Sequence, residues 1–233
     1  MPMPSVAAIL IDFDGTLVDS EPKHCQAHKL FLDSQGIQLE DEEIYGNIGK
    51  SDRTFYLTLM QRHGKSGDVD AWMKAKTEIL MSLYQKDGLE LRPGVMALLD
   101  HARGEGLCCC VVTSTERRAA SLGLAIAGLA ERLPLRVCYE DVSARKPDPA
   151  PYLLAASRLS IPIKHCLVIE DSVSGVTSGR AAGALTVGLI GHTHESQLLG
   201  AGALRCVHSL DELIPINNPP GGTTTTYRRA TRR

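Results

Sequence analysis

The chain has 233 residues, 43% hydrophobic and 22% charged, with a formal net charge of -2, the composition of an ordinary globular protein. That length can bury a sizeable core and suggests a core with a smaller partner. The near-neutral balance gives no overall attraction to nucleic acid or to anionic membranes, and no apolar run reaches the ~18 residues of a membrane span. The seven cysteines form no C-x-x-C pair and have no companion histidines at zinc spacing, which argues against a metal–thiolate cluster. Cys108 to Cys110 lie in an apolar run, as reduced thiols do, and the start MPMPS lacks a basic and apolar leader. A soluble, cytoplasmic protein is therefore expected.

In chain order, Val6 to Ile11 reads as a short strand buried on both faces. It runs straight into Asp12, Asp14 and the turn residue Gly15. Residues i and i+2 of an extended segment point the same way, so the two carboxylates leave the strand tip on one side, about 7 Å apart along it. Carboxylates that close demand a cation or a shared proton. A hard, oxygen-seeking ion such as Mg²⁺ meets that demand and leaves one carboxylate free to act as nucleophile or proton carrier.

From Glu21 to Gly88 strand signals vanish. Ala27, Leu30 and Phe31, then Trp72, Ala75, Ile79 and Leu83, recur at helical spacing, and breaks at Gly36, at Tyr45 to Ser51 and at Gly64 to Asp68 imply about four helices. An all-helical insert directly after a catalytic-looking loop is a candidate lid. Its polar residues best placed to face a site are Glu21, His24 and the loop Gly49-Lys50-Ser51-Asp52-Arg53. Lys50 and Arg53 suit either a second anionic group or a solvated helix end.

After Gly88 helices and strands alternate: a helix from Pro93-Gly94 to Arg103, a strand Leu107 to Thr113, a helix Thr115 to Leu124 and a short strand Leu135 to Tyr139. A helix Pro151 to Leu159, a strand Cys166 to Glu170, a helix Val173 to Ala182 and a strand Ala184 to Ile190 follow, and Cys206 to Ile214 closes the sheet edge. Helices of this length between strands predict parallel βαβ units and an α/β doubly wound sheet. The expected division is a core of residues 1–18 and 89–216, a helical cap of 19–88 and a disordered tail of 217–233.

Three further constellations fall at strand ends. Thr113-Ser114-Thr115 offers hydroxyls and backbone N–H groups at a helix start, as an anion site or as a helix cap. Lys146 is held by the following Pro147 and Pro149 on the stiff loop ARKPDPAPY. Glu170-Asp171-Ser172 ends a buried strand, where acids are costly unless paired with a cation, and Asp171 or Ser172 also suits the cap of the next helix.

Together, Asp12-Phe13-Asp14-Gly15-Thr16-Leu17, Thr113-Ser114, Lys146-Pro147 and Glu170-Asp171 with Gly175 resemble the four ordered motifs of the haloacid dehalogenase-like hydrolases. The resemblance spans Ile9 to about Ile214. The stretch Asp19 to Pro22, the helical insert and Glu170 to Gly183 are similar to the branch holding β-phosphoglucomutase, phosphoglycolate phosphatase and small sugar-phosphate phosphatases. It implies a Rossmann-like core with a mobile helical cap, acting on a small phosphorylated metabolite as a monomer or weak homodimer.

The resemblance also implies roles. Asp12 attacks phosphorus and forms an aspartyl-phosphate, and Asp14 protonates the leaving oxygen and then activates water. Mg²⁺ is held by the Asp12 carboxylate, the Asp14 carbonyl and Asp171. Thr113, Ser114 and Lys146 hold the phosphoryl oxygens, and Glu170 is a further ligand or a support. Substrate selection falls to the cap, with Glu21, His24 and Lys50 as candidates. A phosphosugar mutase is the nearest rival, since His24 aligns with a histidine of the β-phosphoglucomutase motif, but Thr16 stands where that mutase has valine. A phosphate-sensing module is a third reading, weakened because a receiver needs no second acid such as Asp14. Dehalogenases lack that second aspartate.

Overall fold

The computed structural model describes residues 5–47 and 51–216. Six parallel strands form one sheet in the order β3-β2-β1-β4-β5-β6: β1 (Ala8–Ile11), β2 (Cys108–Val112), β3 (Arg136–Val137), β4 (Cys166–Glu170), β5 (Leu185–Leu189) and β6 (Cys206–Val207). β1 sits in the middle, with Ala8 in register with both Cys108 and Cys166. Alternation along β1 sends Ile9 and Ile11 into one apolar cluster and Ala8 and Leu10 into the other, so the strand is buried on both faces. The first cluster packs under α5 (Val95–Gly104) and α6 (Arg117–Ile126), the second under α7 (Ala150–Leu159) and α8 (Val173–Ala182). Strand order reverses at β1, which places a crevice at its carboxyl end.

The helical insert leaves and re-enters beside that crevice. Val18 bridges both Asp14 and Leu91, and Asp19 N–H donates to the Glu90 carbonyl. Between these two connections lie four helices: α1 (Glu21–Ser34), α2 (Asp41–Tyr45), α3 (Asp52–Arg62) and α4 (Val69–Asp87). Phe31, Tyr56 and Trp72 pack edge to face at their centre, with ring centroids 5.3–5.8 Å apart. Ala27, Leu80, Leu83 and Tyr84 form a second cluster that reaches Ile126 of α6 in the core. No helix among the described residues is long and apolar enough to cross a membrane.

Most expected elements are present, and three differ. α6 begins at Arg117 rather than Thr115, because Glu116 is extended and the Thr115 N–H bonds to the Thr113 hydroxyl instead of entering a helix. The strand expected over Leu135 to Tyr139 is two residues long. A six-residue helix, α9 (Glu195–Gly200), was not anticipated; Leu198 is its one buried residue, too little for a periodic signal. The tail from Asn217 and Lys50 lie outside the described residues.

Candidate active site

The crevice is a cavity of about 480 Å³ between sheet and cap. Eight of the expected residues, Asp12, Asp14, Glu21, His24, Thr113, Ser114, Lys146 and Asp171, all line it. The core supplies its floor. Asp12 follows the last residue of β1 and is 7% exposed, and Lys146 Nζ donates to Asp12 Oδ1, to Glu170 Oε1 at 2.6 Å and to the Val112 carbonyl at 2.8 Å. Glu170 is fully buried and boxed in: Tyr152 donates to its Oε1 at 2.6 Å and Ser172 to its Oε2 at 3.1 Å. A Cβ on Gly175 would overlap the Glu170 carboxyl, so only glycine fits beneath it. Ser172 caps α8 as well, accepting from Gly175 N–H at 3.0 Å.

Asp171 accepts from Thr16 Oγ1 at 3.1 Å and presses against Gly15, whose φ of +75° and lack of a side chain both matter there. Carboxylate oxygens of Asp12, Glu170 and Asp171 lie within 4.8 Å of one another. Burial, outweighing Lys146 for Asp12 and joined by the charge of Glu170 for Asp171, raises the carboxyl pKa of both well above the usual range. Lys146 is raised in turn: burial opposes its charge, and Asp12 and Glu170 beside it more than offset this. Three acids face one ammonium, which leaves a charge deficit that a divalent cation with oxygen preference matches. The donor set therefore fits Mg²⁺.

Asp14 points the other way, toward the cap. Its Oδ1 accepts from Ser20 Oγ at 2.6 Å and pairs with His24 Nε2 at 3.1 Å, and its Oδ2 accepts from Thr115 Oγ1 at 2.5 Å. Burial works against its charge, but His24 and these hydroxyls prevail and hold the carboxyl far below the usual range. Ser20 opens α1 yet gives its hydroxyl to Asp14 and not to the helix. Lys76 Nζ, 3% exposed on α4, lies 2.9 Å from His24 Nδ1, so the ring is held between Lys76 and Asp14. Lys76 also donates to Asp52 Oδ2 at 3.0 Å, and Asp52 Oδ1 lies 3.4 Å from His28 Nε2. Arg53 pairs with Asp70 at the surface.

This geometry is matched by kinship. The family model for haloacid dehalogenase-like hydrolases fits residues 6–183. The chain belongs to that family. Hexitol phosphatase A of Escherichia coli K12 is 32% identical over 215 residues, 91% of this chain and 95% of its own. A CBBY-like protein of Arabidopsis thaliana is 32% identical over 197 residues, 76% of this chain, which spans 61% of that protein's length. The crystal structure of CbbY from Rhodobacter sphaeroides in complex with phosphate superposes with a TM-score of 0.79 at 26% identity, over 89% of this chain and 96% of that one. This haloacid dehalogenase-like hydrolase thus has named phosphatases of sugar phosphates among its relatives.

Sequence reasoning missed Lys76, His28, Ser20 and Tyr152 as parts of this site, and it offered Thr115 for an anion or a helix cap rather than for Asp14. Lys76 was detectable: it stands four residues from both Trp72 and Leu80, in the buried stripe of α4, where a lysine must have a partner. Ser20 reads equally as the cap of α1, so its bond to nearby Asp14 had no distinct signal, and the bond of Thr115 to Asp14 arises from a long-range chain crossing.

Proposed function

We propose that the protein is a Mg²⁺-dependent phosphatase of a small phosphorylated metabolite of the sugar or polyol type, working through an aspartyl-phosphate on Asp12. The observation that carries this reading is the opposed pair of acids: Asp12 tied to Lys146 among the buried carboxylates, Asp14 turned away to the cap. Asp12 is the nucleophile, oriented by Lys146, which Glu170 holds in place from behind. Thr113, the Ser114 N–H and Lys146 take the phosphoryl oxygens. Asp12 and Asp171, with the Asp14 carbonyl, would hold Mg²⁺, which would supply neutralisation of the phosphoryl charge. Glu21 and His24 face the substrate from the cap, and Lys50 belongs to the same group by sequence.

Asp14 is the proton carrier. Its carboxyl is ionised in the free site, and a phosphate ester beside it adds negative charge that raises its affinity for a proton. It then gives that proton to the leaving oxygen and afterwards takes one from the attacking water. Screening purified protein against phosphate esters with Mg²⁺ and with excess chelator tests the reading. Phosphate release that stops on chelation is expected; release that survives chelation, or none from any ester, contradicts it.

A further inference from the structure

The floor of the cavity belongs to the phosphoryl group, and the roof must meet whatever carries it. On the cap side the roof includes His24, His28, Ser51 and Asp52. Asp52 is the first residue of α3, behind the Ser51 cap, and its carboxylate is locked from two sides by Lys76 and His28. Those partners are 3% and 5% exposed, whereas the Asp52 side chain keeps 31% of its surface and lines both the main cavity and a side chamber of about 50 Å³. Each carboxylate oxygen has two lone-pair directions, and one on each is used, so the remaining two are available to the cavity. Burial would raise the Asp52 carboxyl, but Lys76 and then His28 hold it well below the usual range, so the group stays anionic. The cations of the described cap wall are committed elsewhere: Lys76 spans His24 and Asp52, and Arg53 pairs with Asp70. On the core side, Arg145 lies over the Tyr139 ring at 3.6 Å.

We propose that Asp52 sets the specificity of the cavity: its fixed carboxylate accepts hydrogen bonds from hydroxyls at the non-phosphorylated end of the substrate and disfavours a second phosphate there. This rests on the phosphatase reading and narrows its substrate to a neutral, polyhydroxylated monoester. A hydroxyl is a donor that a carboxylate can bind strongly, while a phosphate dianion has no proton to offer and brings like charge. A rigid acceptor also costs little ordering on binding.

The test uses the full chain with Mg²⁺, carrying Asp12→Asn to stop turnover, titrated with glycerol 3-phosphate, glucitol 6-phosphate, fructose 1,6-bisphosphate and phenyl phosphate. At least one polyol ester should bind tenfold or more tighter than phenyl phosphate, and the bisphosphate should bind more weakly than that ester. Adding Asp52→Asn should cut the polyol-to-phenyl affinity ratio at least tenfold, about 1.4 kcal/mol. A loss of packing around Lys76 alone would weaken all four ligands alike and leave that ratio unmoved. An unchanged ratio, or a bisphosphate that binds tightest with Asp52 in place, overturns the proposal. Should Asp52→Asn not fold, deoxy analogues of the preferred ester replace it: no tenfold loss for any removed hydroxyl is then the overturning result. Turnover by the unsubstituted protein is followed in parallel. Turnover without the affinity contrast overturns Asp52 alone, and the contrast without turnover overturns the phosphatase reading alone.

Discussion

His28 makes the cap sensitive to acid in a way that can be calculated. Its ring is 5% exposed, Nδ1 lies 2.8 Å from the Tyr56 hydroxyl and Nε2 faces Asp52. Burial first, and then the neighbouring Lys76 charge, lower its pKa from 6.5 to about 4. The unfolded chain therefore binds a proton at His28 between those values while the folded cap refuses it. Stability rises with pH wherever the unfolded state holds more protons, so His28 costs nothing above pH 6.5 and destabilises progressively as pH falls toward 4. At about 1.4 kcal/mol for each pH unit between the two values, the loss from pH 7.5 to pH 5.0 comes to about 2 kcal/mol. The Asp52 carboxyl, lowered in the fold, contributes stability that is lost only as pH falls below the ordinary carboxylate value, outside that window. Trp72, the one tryptophan, packs against Tyr56 and reports the cap directly. Urea unfolding followed by its fluorescence at both pH values, for the natural chain and for His28→Gln, isolates the effect. The natural chain should lose about 2 kcal/mol more than the variant. Equal losses would refute the assignment of a neutral, proton-refusing His28.

Gly175→Ala should displace Glu170 from Lys146 without unfolding the sheet, because the added Cβ falls on the Glu170 carboxyl; kcat is expected to drop at least tenfold with unchanged circular dichroism. Lys146→Met should abolish turnover and, by leaving buried Asp12 and Glu170 unpaired, cost about 3–5 kcal/mol in urea unfolding.

The parallel core was legible because its central strands are short apolar runs, and several motif residues stand immediately beyond one. Asp12, Thr113 and Asp171 each follow the last residue of a strand, so their convergence follows from parallel order alone. Position within the cap was harder to read. Helical spacing located α1 and α4, and breaks implied α3, but not which faces would meet, so the chain of contacts from Asp14 through His24, Lys76, Asp52 and His28 to Tyr56 was invisible until three helices were packed together. Glu170 is instructive for the same reason. Its place at a strand tip was clear, but its partners Tyr152, from α7, and Lys146 come from distant parts of the chain and were not.

Trapping the phosphorylated enzyme tests the central claim most directly. The protein is mixed with its best ester in Mg²⁺, quenched in acid within milliseconds to seconds, and its peptides are mapped by mass spectrometry. The account predicts a phosphoryl group on the peptide bearing Asp12, acid-stable and labile to base or hydroxylamine, formed and lost at rates that support turnover and absent from Asp12→Asn. Steady turnover with no phosphorylated Asp12 at any time, or undiminished turnover by Asp12→Asn, would contradict it.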